Sequence, residues 1–183
     1  VALCLVREGW HVTLIDRHTG PAMAASGLPV GMLSAHITAR ETTLSELSRT
    51  GMPLHIRELQ THVPEGAGWQ ATQVTNLKGV DPDGDEENGE CKTDPLTLPA
   101  ALVRPSALVQ AWLTEAAESG RLTTLWSSEA TRLEPATSAT PPDTWVVTDR
   151  DGQPIAGAPH VVVTAAYDTA RLLSPWVADM SEA

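Results

Sequence analysis

Apolar residues fill the start of the chain almost without a break. Val1 to Glu8 reads VALCLVRE, a helix-compatible run whose polar residues come last, and Gly9 follows as a C-terminal stop. His11 to Ile15, HVTLI, predicts a short buried β-strand rich in β-branched residues, with Asp16 immediately after it. Thr42 to Leu59 carries Leu44, Leu47, Met52, Leu54 and Ile56 among polar residues, which predicts a helix interrupted at Gly51 and Pro53. Thr61 to Pro99 predicts strands and loops. Pro105 and Ser106 open an amphipathic helix over Ser106 to Ser119, with Leu108, Trp112, Leu113 and Ala116 on one face and Gly120 as its stop. That spacing puts Trp112 in the core. Leu122 to Trp126, Ala130 to Leu133, Thr144 to Thr148 and His160 to Thr164 predict strands, the last two joined by a turn at Asp149 to Gly152, where Asp-Gly is the signal. Thr137 to Pro142 predicts a loop, and no internal repeat is present.

Helix, glycine, buried strand and terminal acid form the second half of a βαβ nucleotide-binding unit. In such a unit an acid about 20 residues after a glycine fingerprint bonds the ribose hydroxyls. Counting back from Asp16 by that distance runs off the front of the chain. The fingerprint is therefore expected upstream of Val1, and the chain is expected to be a piece truncated at both ends. Asp16 equally well ends a strand in an unrelated α/β protein, so these sixteen residues leave both readings open.

Composition narrows the classes. Hydrophobic residues make up 42% and charged residues 19% of 183 residues, which fits a globular protein able to bury a core. No apolar run approaches the roughly 20 residues that span a bilayer, and no secretory signal is read at Val1, so the cytoplasm is the expected location. The net charge is −11, with Lys78 and Lys92 the only lysines and the arginines scattered. Phosphate neutralisation needs clustered basic groups, so this stretch is a poor main surface for nucleic acid. Cys4 and Cys91 make neither a disulfide framework nor a metal pair, and Cys4 in its apolar run is expected to be a buried thiol.

Two patterns that invite a metal are set aside. Asp81, Asp83, Asp85 and Glu87 alternate in the acidic run Val80 to Asp94. An EF-hand loop starting at Asp81 would need Gly and Glu where Glu86 and Lys92 stand, so a solvated loop is expected. The six histidines show no metal-ligand spacing, and no metal site is assigned.

Ala24 to Leu33, AASGLPVGML, adds the specific signal. Ser26, Gly27 and Gly31 follow closely on the acid-terminated strand. Glycines allow close backbone approach, and a hydroxyl with free N–H groups bonds phosphate oxygens. In this position the stretch resembles the ASG-x-x-x-G-x-L segment of FAD-dependent oxidoreductases of the D-amino-acid-oxidase superfamily. Within it, REGWHVTLIDRHTGPAMAASGLPVGML, LVRPSALVQAWLTEA and HVVVTAAYDTARLL resemble, in the same order, the oxidoreductase half of the bifunctional enzymes that build 5-methylaminomethyl-2-thiouridine at the tRNA wobble position. The chain departs from the pattern at Ala24, where glycine is frequent, and at Leu28, where asparagine is usual. It departs again at Ala100 and Ala101, often paired glycines, and at Ala165 and Ala166, where Asn-Gly is expected.

The resemblance implies an α/β fold: a Rossmann-like FAD-binding domain with part of an α+β substrate domain. Residues 1–60 and 103–168 would form the two parts of the flavin domain, 61–102 a substrate-domain excursion, and 169–183 the start of a return to it. The implied cofactor is FAD. Asp16 would bond the adenosine ribose and Arg17 flank the adenine or ribose. Ser26 and Gly27 would meet the pyrophosphate, Gly31 and Met32 the flavin ring, Ala130 the adenine through its backbone, and Ala165 and Ala166 would pass close to the cofactor. His36, just after the glycine motif, is read as an ordinary polar residue. No catalytic base is assigned, because the substrate-gripping groups of the family would lie largely outside this stretch.

The implied reaction is oxidation of a secondary-amine C–N bond, taking carboxymethylaminomethyl to aminomethyl on a tRNA wobble uridine, with a fused or neighbouring methyltransferase domain as partner and no membrane. The alternatives are an oxidase of free glycine, sarcosine or D-amino acids, and a non-catalytic truncated remnant. A nicotinamide-dependent Rossmann enzyme would not need the second glycine block after Asp16. Because the helix N-terminus that neutralises a pyrophosphate would lie upstream, the stretch alone is expected to bind FAD weakly or not at all.

Overall fold

The computed structural model describes residues 1–37, 42–76, 96–136 and 144–177. The chain divides into two compact units, one made of Val1–Gly20 with Ala116–Ala183 and the other of Pro21–Glu115. The acidic run at 80–94, the loop at 137–142 and Cys91 lie outside the described residues.

In the first unit, α1 (Ala2–Arg7) ends in a Schellman motif. The Trp10 N–H donates to the Leu5 carbonyl and the Gly9 N–H to the Val6 carbonyl, both at 3.0 Å, with Gly9 at φ +91°. Leu3 and Val6 take the buried face. Cys4, expected to be buried, is exposed, because it lies about 100° around the helix from Leu3. β1 (Val12–Ile15) pairs in parallel with β5 (Leu122–Leu125), from Val12 opposite Leu122 to Ile15 opposite Leu125.

A second sheet has the order β6-β7-β8, with β6 at Arg132–Pro135, β7 at Trp145–Thr148 and β8 at Pro154–Ala158, all antiparallel. The turn at Asp149 to Gly152 forms as expected. Asp149 Oδ1 accepts from the N–H groups of Asp151 and Gln153, and Gly152 takes φ +76°. Two strand expectations need correction. The strand read at 130–133 lies two residues later, where the pairing with β7 sets it. The hairpin partner of β7 is β8, and His160 to Thr164 forms no strand. The β-branched run there meets no ladder partner among the described residues, and β propensity becomes a strand only against a neighbour.

α4 (Asp168–Leu173) and the residues after it fold onto β6. The Trp176 indole donates to the Leu133 carbonyl at 3.0 Å and stands edge-on to Trp145, with ring centroids 5.0 Å apart. A free strand edge is thereby covered.

In the second unit, α2 (Thr43–His62) begins with a capping box: the Thr42 side chain accepts from the Ser45 N–H, and the Ser45 hydroxyl oxygen from the Thr42 N–H. The helix runs unbroken through Gly51 and Pro53, against the interruption expected from sequence. Pro53 is exposed, so the backbone adjustment a proline imposes on a helix falls at the water-facing surface.

β2 (Gly31–Leu33), β3 (Trp69–Asn76) and β4 (Leu96–Val103) make an antiparallel sheet in the order β2-β4-β3. Its inner face supplies Trp69, Ala101 and Val103 to a core shared with Leu59 and Val63, against which Ala107, Leu108 and Ala111 of α3 (Pro105–Glu118) pack. The Trp69 indole keeps its polar end satisfied by donating to the Val63 carbonyl at 2.8 Å. Gly68 lets α3 start this close: a Cβ there would meet Ala107 Cβ at 2.6 Å.

The α2–α3 seam is polar. His62, its side chain 7% exposed, has Nε2 at 3.2 Å from Glu58 Oε2 and Nδ1 at 3.0 Å from Glu115 Oε2. Trp112, expected in the core, is half-buried and donates its indole N–H to Glu58 Oε2 at 3.2 Å.

Candidate cofactor site

In the first unit, Asp16 stands one residue beyond β1, at the C-terminal end of a parallel strand pair, where open α/β sheets bind ligands. The backbone here is tied to the turn after β5. Asp16 N–H donates to Leu125 O at 3.0 Å, Ser128 N–H to Asp16 O at 3.0 Å, and Ser127 N–H to His18 O at 2.7 Å. Ser127 takes φ +54°, a left-handed conformation that a side chain disfavours. The Asp16 carboxylate is 42% exposed. Its Oδ1 accepts from the His18 N–H at 2.8 Å and lies 2.8 Å from His18 Nδ1.

Arg17 donates from Nη1 to Asp168 Oδ2 at 3.0 Å. Asp168 opens α4 directly after Ala165 and Ala166, and its N–H donates to the Ala165 carbonyl. Ala166 takes φ +49°, a glycine-like conformation at the position where the family pattern has glycine. Arg171 approaches Asp168 Oδ1 at 3.6 Å and donates to the carbonyl of Thr131, the neighbour of Ala130. Arg17, Ala165 and Ala166 thus meet at the start of α4, Asp16 adjoins Arg17 in the chain, and Arg171 reaches Thr131, the neighbour of Ala130.

A groove of about 540 Å³ lies beside it, lined in part by Thr131, Leu133, Arg171 and Trp176. Arg171 and the Trp176 indole already serve the carbonyls of Thr131 and Leu133, so the end of β1 is the stronger candidate.

In the second unit, Ala25–Gly27 forms a single 3-10 turn. A Cβ at Gly27 would lie 2.6 Å from the Ala22 carbonyl oxygen, so local packing already demands glycine there. Gly31 differs, since a Cβ would find only ordinary contacts at 3.9 Å and its φ is not in the left-handed region. The Ser26 hydroxyl makes no hydrogen bond among the described residues. Met32 is 60% exposed on the sheet face away from the core. The His36 ring is exposed, and only its backbone is held, by Ser48 Oγ at 2.7 Å.

Sequence reasoning missed His18 and Asp168. The Asp-Arg-His order is itself a signal, since an aspartate commonly accepts from the backbone N–H two residues on. Asp168 becomes visible only when the fold brings α4 to Arg17. Among the described residues no group of three or more His, Cys, Asp or Glu side chains is placed to hold a metal ion, and no helix is long and apolar enough to cross a membrane.

Comparison with known proteins gives the geometry a context. The family model described as DAO, FAD dependent oxidoreductase, matches residues 1–92. The tRNA 5-methylaminomethyl-2-thiouridine biosynthesis bifunctional protein MnmC of Paracidovorax citrulli is 32% identical over 205 residues, covering 97% of this chain and 31% of that protein. Its counterpart in Albidiferax ferrireducens is 36% identical over 115 residues, covering 63% of this chain and 18% of that protein. The chain therefore spans less than a third of the length of these relatives. Among solved structures, NikD, an unusual amino acid oxidase essential for nikkomycin biosynthesis, superposes with a TM-score of 0.59 at 16% identity, over 95% of this chain and 50% of that one. That likeness supports the mixed α/β fold alone. With the family model matching half of its length, the chain belongs to the DAO family of FAD-dependent oxidoreductases.

Proposed function

We propose that this chain is the FAD-binding part of an oxidoreductase that oxidises the C–N bond of a secondary amine, with the carboxymethylaminomethyl group of a tRNA wobble uridine as substrate. The observation that carries the cofactor assignment is Asp16. Its half-exposed carboxylate stands at the C-terminal end of a parallel strand and is bonded on Oδ1 by its own neighbour. A ribose diol is bonded by an acid in that position.

Each unit, taken by itself, offers residues of the kind that hold part of an FAD. Asp16 accepts from the ribose hydroxyls, and Arg17, anchored on Asp168, flanks the adenosine with its stem. Ala130 offers backbone groups to the adenine, and the Ala165–Ala166 turn passes near the cofactor. The Ser26 hydroxyl and the Gly27 backbone serve the pyrophosphate. Gly31 and Met32 would serve the flavin ring, with Gly31 leaving its backbone free of a side chain there. A bound flavin would supply the hydride-accepting chemistry, and the residues named here would supply position and electrostatics.

Residues 1–60 and 103–168 are assigned to the flavin domain, and 61–102 and 169–183 to the substrate domain. The names of the curated relatives support a tRNA substrate. The net charge of −11 assigns the grip on tRNA phosphates to other parts of the protein or to a neighbouring methyltransferase domain, in the cytoplasm. Oxidation of a free amino acid is the competing reading within the same chemistry.

The visible spectrum of the purified full-length protein tests both levels. Flavin bands that bleach with tRNA carrying the carboxymethylaminomethyl group, and not with glycine, sarcosine or D-amino acids, support the proposal. Bleaching by the free amino acids alone selects the competing reading. A colourless protein that takes up no added FAD means a non-catalytic relative.

A further inference from the structure

We propose that His18 is a positioning residue for the Asp16 carboxylate, aiming it at the adenosine ribose. The inference rests on the assignment of Asp16 made above. An aspartate that accepts from the backbone N–H two residues on needs no particular side chain there. Here the side chain adds a second contact: His18 Nδ1 lies 2.8 Å from the same oxygen, Oδ1, that takes the backbone N–H at 2.8 Å. A ring carrying its proton on Nδ1 donates to that oxygen.

Two donors from different directions fix the rotation of the carboxyl group, which a single bond leaves loose. With Oδ1 occupied twice, Oδ2 is the oxygen presented to an incoming hydroxyl. The scaffold supporting the pair is equally determined. The Asp16 and His18 carbonyls are held by the N–H groups of Ser128 and Ser127, and Ser127 adopts a left-handed conformation in doing so. The His18 ring is itself two-thirds covered, with 32% of its side chain exposed, which limits its rotamers. A carboxylate ordered in advance loses less freedom when its ligand arrives.

The test uses the full-length protein, freed of flavin, with FAD binding followed by fluorescence and ADP binding by calorimetry, since ADP reports the adenosine half alone. The variants are Asp16→Asn, Asp16→Ala, His18→Leu, His18→Ala, His18→Asn and the double variant Asp16→Ala with His18→Leu. Asparagine carries an N–H donor at the same bond distance from Cα as Nδ1. His18→Leu is expected to weaken FAD and ADP about fivefold to tenfold, the scale of one ordinary hydrogen bond, because the half-exposed carboxylate lets water replace the lost donor. His18→Asn should recover most of that loss, and His18→Leu should lose nothing further once Asp16 is Ala, which has no oxygen for the ring to hold. Leucine keeps the bulk that covers the site. If it nonetheless fails to fold, His18→Ala and His18→Asn carry the comparison.

Equal binding by His18→Leu and the wild type, with Asp16→Asn weakened, overturns the positioning role and leaves the Asp16 assignment standing. So does an equal loss in His18→Leu and His18→Asn. Undiminished FAD binding by Asp16→Asn overturns the assignment, and the inference falls with it.

Discussion

Gly68 and Ala107 meet so closely that a methyl group on the glycine would lie 2.6 Å from the alanine Cβ, and 2.8 Å from Val63 Cγ1. This approach brings the first turn of α3 onto the start of β3, where the Arg104 N–H donates to the Gly68 carbonyl at 2.7 Å. Gly68→Ala is expected to destabilise the protein by about 1–3 kcal/mol, as overpacking of a filled core does. Adding Ala107→Gly should return part of that loss, since one of the two clashing groups is then gone. Urea unfolding curves of the two variants against the parent measure both effects.

His62 joins α2 to α3 through Glu115 and pairs with Glu58 one turn back on α2. Removing the ring by His62→Ala leaves two carboxylates facing each other across a partly buried seam. The carboxylates are 43% and 38% exposed, so solvent screens much of the interaction. The expected loss is about 1–2 kcal/mol, below that of a fully buried pair. Glu115→Gln should lose less than His62→Ala, because Glu58 still serves the ring. A larger loss in Glu115→Gln, read from denaturation midpoints, would falsify this account of the seam.

Ala166 sits at φ +49°. Ala166→Gly is expected to raise stability by about 0.5–1 kcal/mol, the relief of a left-handed side chain less the greater freedom of glycine in the unfolded chain. Ala166→Val should go the other way, because a β-branched residue tolerates that conformation least. Thermal melting of the pair gives opposite signs if the backbone angle is the cause, and the same sign if volume is.

Trp176 joins two interactions that substitution can separate. Trp176→Phe keeps an aromatic ring against Trp145 but removes the donor to Leu133 O, and is expected to cost about 1 kcal/mol. Trp176→Ala loses both the bond and the ring contact, and should cost about 2–4 kcal/mol, discounted from a full core aromatic because the residue is partly exposed. If the phenylalanine variant melts with the alanine variant, the hydrogen bond is the main tie of α4 to β6.

What could be read from the sequence was what the chain decides locally. Val1 to Glu8, Gly9 and the HVTLI strand need only periodicity and a left-handed glycine, and helix, stop and strand form where expected, although the strand, expected to be buried, is only partly covered. The Asp149 turn likewise closes through its own side chain. Strands whose identity rests on a partner were less legible. β6 begins two residues late because β7 sets its register, and His160 to Thr164 has every residue preference of a strand without a neighbour to pair with. Pro53 announced a break that a solvent-facing position does not require.

At the candidate site, Asp16 was visible because an acid after a buried strand has a chemical meaning. The tie from Arg17 to Asp168 was not, since its partners lie 151 positions apart. Glu58 falls inside the helix expected from sequence but His62 does not, since the expected helix ends at Leu59 and the observed one runs on to His62, and Glu115 joins them only once α3 is packed.

The pairing of β1 with β5 also has a consequence in time. Val12 lies opposite Leu122, 122 minus 12 or 110 positions away, and parallel ladders reward nothing until both strands are present. Closing so long a loop from an open chain carries an entropy cost of about 4 kcal/mol before any bond forms. The intervening Pro21–Glu115 is one continuous stretch with its own core, and its early collapse would shorten the gap that must be closed. The strand end that carries Asp16 is therefore expected to be among the last parts of the molecule to gain protection from hydrogen exchange during refolding, and the adenosine end of the candidate site to mature after the sheet that bears Met32.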